Sequence, residues 1–272
     1  HIPDGYLGPL TYVTLFLIMI PIWFFASRRV NRSLRTKQVP MLAFGTAFTF
    51  VIMMFNIPAP GGTTGHAVGG SILAISLGPW AATIGITVAL AIQALLFGDG
   101  GITALGANCF NMAFILPLAG YCTYKAISYK ADISSPRRWI AAGIAGYVSI
   151  NAAAFLTGFE LGIQPILHQT PSGQPLYAPY PLSITIPAMA IEHLALFGVI
   201  EAIITGLVIS YLQKTAPSML TPSLPIKVPA PLQSINQQRM EGLKKLWIIL
   251  ATLVILTPVG LLAEGSAWGE WL

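Results

Sequence analysis

The chain is patterned in long apolar runs, each closed by a break rich in glycine, proline or basic residues. A helix needs about 20 apolar residues to cross the hydrocarbon core of a bilayer, and only a helix or closed barrel satisfies its backbone polar groups there. The runs predict helices over 11–26, 41–57, 103–124, 139–158 and 184–213. The stretch 71–97 admits two readings, one long helix or two helices parted at Gly78-Pro79. Proline suits a helix start and breaks a helix interior, so the parted reading gives spans over 66–77 and 80–97. A final apolar run, 246–262, follows a proline-rich stretch that reads as a linker.

Charge placement turns this pattern into a topology. Only 8% of residues are charged and 55% are hydrophobic, whereas a soluble domain carries about 25% charged residues. All 14 Lys and Arg fall in three clusters: Arg28 to Lys37, Lys125 to Arg138, and Lys214 to Lys245. Confinement of bases to alternate breaks is the positive-inside bias, which puts the clusters on the cytoplasmic side and the amino terminus outside. One unbroken helix over 71–97 would carry the second cluster outside, so the division at Gly78-Pro79 is required. The expected fold is an all-α polytopic membrane bundle of about seven core transmembrane helices with one appended C-terminal helix.

The net charge of +5 does not point to nucleic acid, because the bases line no single soluble face. No basic segment precedes the first apolar run, so that run does not read as a signal peptide. Cys109 and Cys122 sit about 20 Å apart along one helix, too far for a disulfide. On this topology the outer side holds Asp4, Asp99, Glu160, Glu264 and Glu270 and no base, a field that favours approaching cations.

Candidate chemistry rests on few residues. His1 opens the sequence, and His66 lies in the stretch Gly61-Gly-Thr-Thr-Gly-His-Ala-Val-Gly-Gly70, whose glycines permit close backbone approach. Both are expected at the outer face. Imidazole suits nickel, cobalt, copper and zinc. A histidine at or next to a free amino terminus chelates through its ring, the amine and any intervening backbone nitrogen. A methionine is expected ahead of His1, because bulky second residues hinder its removal. Its amine, the His1 nitrogen and the His1 ring would lie in one plane, and His66 would close a four-nitrogen square. Square-planar nitrogen ligation points to nickel or copper before zinc.

The runs His1-Ile-Pro-Asp-Gly-Tyr-Leu7, Gly65-His-Ala-Val-Gly-Gly70, Gln93-Ala-Leu-Leu-Phe-Gly-Asp-Gly-Gly101 and Leu105-Gly-Ala-Asn-Cys-Phe-Asn-Met112 together resemble the CbiM/NikM family. Its members are the substrate-specific subunits of energy-coupling factor transporters for cobalt and nickel. The resemblance implies that the substrate Ni2+, or Co2+, is held by His1 and His66. It implies residence in a prokaryotic cell membrane, a transmembrane coupling subunit (NikQ/CbiQ-like) and ATPase subunits (NikO/CbiO-like). It also assigns Ala43 and Ala47, a small-residue face of the second span, to docking of the coupling subunit; internal packing is the alternative. The division expected is a metal-binding domain over 1–213, a cytoplasmic linker over 214–245 and a NikN-like segment over 246–272, the last also readable as a plain anchor.

Several other polar residues need a role. Asn108 and Asn111 share a helix face, Asp99 lies in a neighbouring glycine turn, and Gln93 sits a turn below. These groups either orient the two histidines or bridge helices and turns. Glu192, His193 and Glu201 lie inside the last core span, where ionisable groups are costly, and a packing or gating role is preferred for them. His168, in a loop with Glu160, is expected to be solvated. No phosphate-binding loop, catalytic triad or His-Glu-x-x-His motif occurs, so the chain does not read as an enzyme. The rival classes are a membrane-embedded metallohydrolase using His66, Glu192, His193 and Glu201, and a stand-alone channel or secondary carrier relaying through Glu192 and Glu201.

Overall fold

The computed structural model describes residues 1–34, 38–59 and 63–220. Five helices among them are long and apolar enough to cross a membrane: α1 (Pro9–Ser33), α4 (Pro79–Phe97), α5 (Leu105–Ile127), α6 (Pro136–Leu167) and α7 (Leu182–Thr215). Two shorter helices, α2 (Val39–Met53) and α3 (Gly70–Leu77), complete an all-α bundle with a small hairpin of β1 (Ile57–Ala59) and β2 (Thr63–Gly65). The expected eighth span and most of the linker lie outside the described residues.

Local chemistry sets the helix ends. Proline occupies the first turn of α1, α2, α4 and α6, where its missing N–H leaves nothing unpaired. Gly78 separates α3 from α4 with φ +90°, a conformation that glycine alone enters without strain. The break therefore falls where the charge pattern needs it, but α3 differs from the expected third span. Its helix begins at Gly70, leaving 66–69 unwound, and its eight residues rise only about 12 Å.

Three of the long helices run between the amino-terminal segment and a basic end. Helix α1 leaves Gly8 and ends near Arg32, α5 starts beside Ile2 and ends near Lys125, and α6 starts at Arg137 and reaches Gln164. At the basic end, Arg138 donates to Tyr124 Oη (3.1 Å) and the Ala131 carbonyl (2.9 Å), while Gln213 donates to the Ser135 carbonyl (3.1 Å).

Small residues let α6 and α7 pack with backbones nearly touching. A Cβ on Gly146 would lie 2.9 Å from the Glu201 carbonyl, and one on Gly162 would lie 2.7 Å from Leu182 Cα. Contacts of this kind drive association where lipid removes the hydrophobic incentive. The main core gathers Met19, Met53, Val68, Ile86, Leu116 and Phe197 from six parts of the chain. Outward-facing Leu10, Leu17, Phe24, Phe155, Ile191 and Leu207 give the bundle the apolar exterior that lipid requires.

Candidate metal centre

Residues 1–8 fold back into one end of the bundle and are fixed there by hydrogen bonds to three other segments. Asn108, buried on α5, grips Ile2 from both sides: the Ile2 N–H donates to Oδ1 at 2.8 Å, and Nδ2 donates to the Ile2 carbonyl at 3.0 Å. That carbonyl also accepts the Gly101 N–H at 2.9 Å. Asp4 accepts the backbone N–H of Ile102 (3.0 Å) and Thr103 (2.8 Å) and the Thr103 hydroxyl. Burial alone would raise the Asp4 pKa, but the Thr103 side chain and the Ile102, Thr103 and Ala104 backbones hold it below its ordinary value. Gly8 N–H donates to Gln164 Oε1 at 2.9 Å. Beneath these bonds Ile2 and Leu7 pack with Leu15, Ala104 and Ala107 as a small separate core.

This seat places the His1 ring beside two turn residues. Gly100, at φ +85°, approaches so closely that a Cβ there would sit 3.1 Å from His1 Cβ. His1 Nδ1 donates to Asp99 Oδ1 at 2.7 Å, with the two side chains 1% and 9% exposed. A carboxyl oxygen accepts, so this bond assigns the proton to Nδ1 and the lone pair to Nε2. His1 Nε2 is buried with no hydrogen-bond partner, as is Asp99 Oδ2. Buried polar atoms are normally satisfied, so this cluster has polar capacity to spare for a water or an ion.

His66 arrives from the other side, carried by the loop between β2 and α3. Its Nδ1 lies 3.1 Å from the Ala67 carbonyl, which likewise leaves Nε2 as the lone-pair nitrogen. The His1 and His66 ring centroids are 4.6 Å apart, tilted by 46°. A metal–nitrogen bond of about 2.0–2.1 Å puts each ring centre about 3.2 Å from the ion, so rings at adjacent coordination positions stand about 4.5 Å apart. The observed spacing fits two cis ligands. Among the described residues no three His, Cys, Asp or Glu converge on one point. Side chains there supply two nitrogens, and further ligands would be backbone or terminal nitrogens.

Burial lowers the His66 pKa below its ordinary 6.5, although Asp99 pulls the other way. His66 is therefore neutral at physiological pH, and a cation meets no competing proton on it. The unfolded loop takes up the proton first as pH falls below 6.5, so acidification below that point disfavours the seated loop. The His66 ring resonance is expected to titrate well below 6.5. An ordinary midpoint at 6.5 would mean a ring open to water.

The other sequence-derived candidates are placed as follows. Asp99 and Asn108 both touch the amino-terminal segment, whereas Asn111 donates to Thr157 Oγ1 (3.2 Å) and Glu160 Oε2 (2.8 Å), bridging α5 to α6. Gln93 is buried between helices, its Nε2 3.4 Å from the Phe50 carbonyl. Ala43 and Ala47 are exposed on α2, with Gly45 turned inward against Leu73.

Two expectations need correction. Glu160 is not in an outer loop but is buried within α6, because that helix continues past the predicted 158 to Leu167. His168 is half-buried rather than solvated: its ring lies flat on Gly8, where a Cβ would approach to 2.2 Å, and stands edge-on to Tyr177. Two residues of the metallohydrolase alternative have other hydrogen-bond partners, Glu201 backbone N–H groups and His193 Nδ1 the Met189 carbonyl at 2.8 Å.

Comparison with known proteins shows which family the chain resembles. Residues 1–219 match the family model described as "CbiM: Cobalt uptake substrate-specific transmembrane region". The chain is 47% identical over 271 residues to the fused nickel transport protein NikMN of Rhodobacter capsulatus, covering 100% of this chain and 75% of that protein. It is 45% identical over 278 residues to the probable fused nickel transport protein LarMN of Lactiplantibacillus plantarum, covering 100% of this chain and 77% of the relative. A crystal structure of a truncated transition metal transporter superposes with TM-score 0.74 at 54% identity, covering 79% of this chain and 98% of that one.

Proposed function

The chain belongs to the CbiM family, a multi-pass membrane component of prokaryotic metal uptake and not an enzyme, and on that premise we propose that it captures Ni2+ at the outer face through His1 and His66. The observation that carries this reading is the pair of buried imidazoles at a spacing that suits cis ligands, with His1 seated at the amino-terminal backbone. A ring that shares an ion with its own backbone nitrogen binds through Nδ1, so in this reading His1 Nδ1 exchanges Asp99 for the metal, and the remaining positions fall to the His1 backbone nitrogen and a methionine amine ahead of it. An all-nitrogen set favours nickel over cobalt. The acidic outer side and the cytoplasmic bases orient the site towards the exterior.

Transport is ATP-driven in this reading, with energy supplied by separate ATPase subunits through a transmembrane coupling subunit. The exposed Ala43 and Ala47 form the docking face on α2, where small side chains permit close helix contact. Residues 1–213 form the metal-binding domain, 214–245 a cytoplasmic linker and 246–272 a NikN-like segment. The fused nickel transporters align with the whole chain, which supports this division.

Elemental analysis tests the reading. Chain purified with its authentic amino terminus from cells supplied with equal nickel, cobalt and copper is expected to hold about one nickel per molecule, in keeping with one nitrogen-lined site. Metal-free protein under those conditions, or copper alone, would overturn it.

A further inference from the structure

We propose that Glu201, a buried residue of α7 far from His66 in sequence, is a positioning residue that fixes His66 in the metal centre. This rests on the reading of His66 as a ligand. The argument begins with the unwound stretch 66–69. Helix α3 is shorter than α4 beside it, and the residues before it are unwound yet buried. Buried backbone outside a helix holds N–H groups that must find partners within the protein. Glu201 meets them. Its Oε2 accepts the Val68 N–H at 2.8 Å, and its Oε1 accepts the Gly69 N–H at 2.9 Å. Glu201 is 0% exposed.

The two N–H groups belong to the N-cap of α3 and the residue before it. Glu201 thus caps α3 from another helix, a role that no side chain of α3 itself fills. Gly69, at φ +70°, turns the chain so that both N–H groups face the carboxyl. One helical turn earlier on α7, the Phe197 ring lies flat on Gly65, where a Cβ would approach to 2.1 Å. A further turn back, His193 packs against Phe197 with ring centroids 5.2 Å apart. Residues on both sides of His66 are therefore held by one stripe of α7. The histidine has little freedom to move unless that helix moves.

Backbone satisfaction alone would make Glu201 a stability element with no influence on the metal. The two roles separate experimentally. Glutamine at 201 keeps one acceptor oxygen but sets an NH2 against a peptide N–H; leucine removes both acceptors. Full-length wild type, Glu201→Gln and Glu201→Leu would be compared in nanodiscs by nickel competition against a chelating dye, by the nickel d–d absorption bands, and by hydrogen exchange of 65–70 in metal-free protein. Glu201→Gln is expected to unfold near the wild-type temperature, exchange faster at 65–70, bind nickel about 10- to 100-fold more weakly and show a shifted d–d band. Glu201→Leu should show the same changes more strongly, and if it does not fold, Glu201→Gln decides alone. Unchanged affinity and spectrum in Glu201→Gln, with or without a lower unfolding temperature, would overturn the proposal. Faster exchange in a series whose wild type takes up no nickel would sink the metal reading and leave the anchoring of His66 standing.

Discussion

Replacing His66 with alanine is expected to abolish stable nickel retention, with affinity falling by about a hundredfold or more. A two-imidazole site that loses one ring loses a ligating nitrogen outright, and changes merely in the partners of a ligand cost about 10- to 100-fold. The substitution should leave the fold intact, because the hydrogen bond of the His66 ring is local, to the Ala67 carbonyl at 3.1 Å. The bonds from Val68 and Gly69 to Glu201 do not involve the ring. Metal content after size-exclusion chromatography, beside an unchanged unfolding temperature, is the measurement. His1→Ala should give the same loss of metal. It should also cost some stability, since Asp99 then stays buried without its 2.7 Å partner. A His66→Ala protein that still carries stoichiometric nickel would remove the proposed centre.

Leucine at Ala43 or Ala47 is expected to prevent assembly with the coupling subunit while leaving bound nickel in place. Each change adds an isopropyl group at an exposed position of α2. The added bulk holds a partner helix away, and close approach of small residues drives helix association in lipid. Gly45 provides the contrast. A Cβ there would meet Leu73 Cδ2 at 2.4 Å, so Gly45→Leu should damage the subunit itself. Co-purification of the coupling and ATPase subunits through a tag on this chain reads both outcomes. Complete assembly with both leucine variants would place the docking face elsewhere.

Much of this was legible in the residue pattern because lipid imposes simple rules. Apolar length marks the helices and confined bases mark their basic ends; those two signals also demanded the break at Gly78. The unwound segment before α3 was not readable, since an apolar run looks the same whether coiled or extended until a partner for its N–H groups is known. That partner, Glu201, lies 132 residues from Gly69. Its presence in an apolar span was a visible oddity, but its target was not. The amino-terminal seat shows the same limit. His1, Asp99 and Asn108 could be nominated from local motifs, whereas Gln164, which receives the Gly8 N–H, carries no local signal. Glu160 was misplaced because the end of a hydrophobic run is not the end of a helix: α6 keeps its hydrogen bonds past that point and buries the carboxyl against Asn111.

The burial of His1 has a kinetic consequence for the capture proposed above. With its ring 1% exposed, an ion arriving from outside would reach it only after shedding hydration water and displacing part of residues 1–8. The clasp at Ile2, the Asp4 contacts and the Gly8–Gln164 bond would break and re-form in each such event. Residence time would then follow how often that segment opens, and loading and unloading would slow down together.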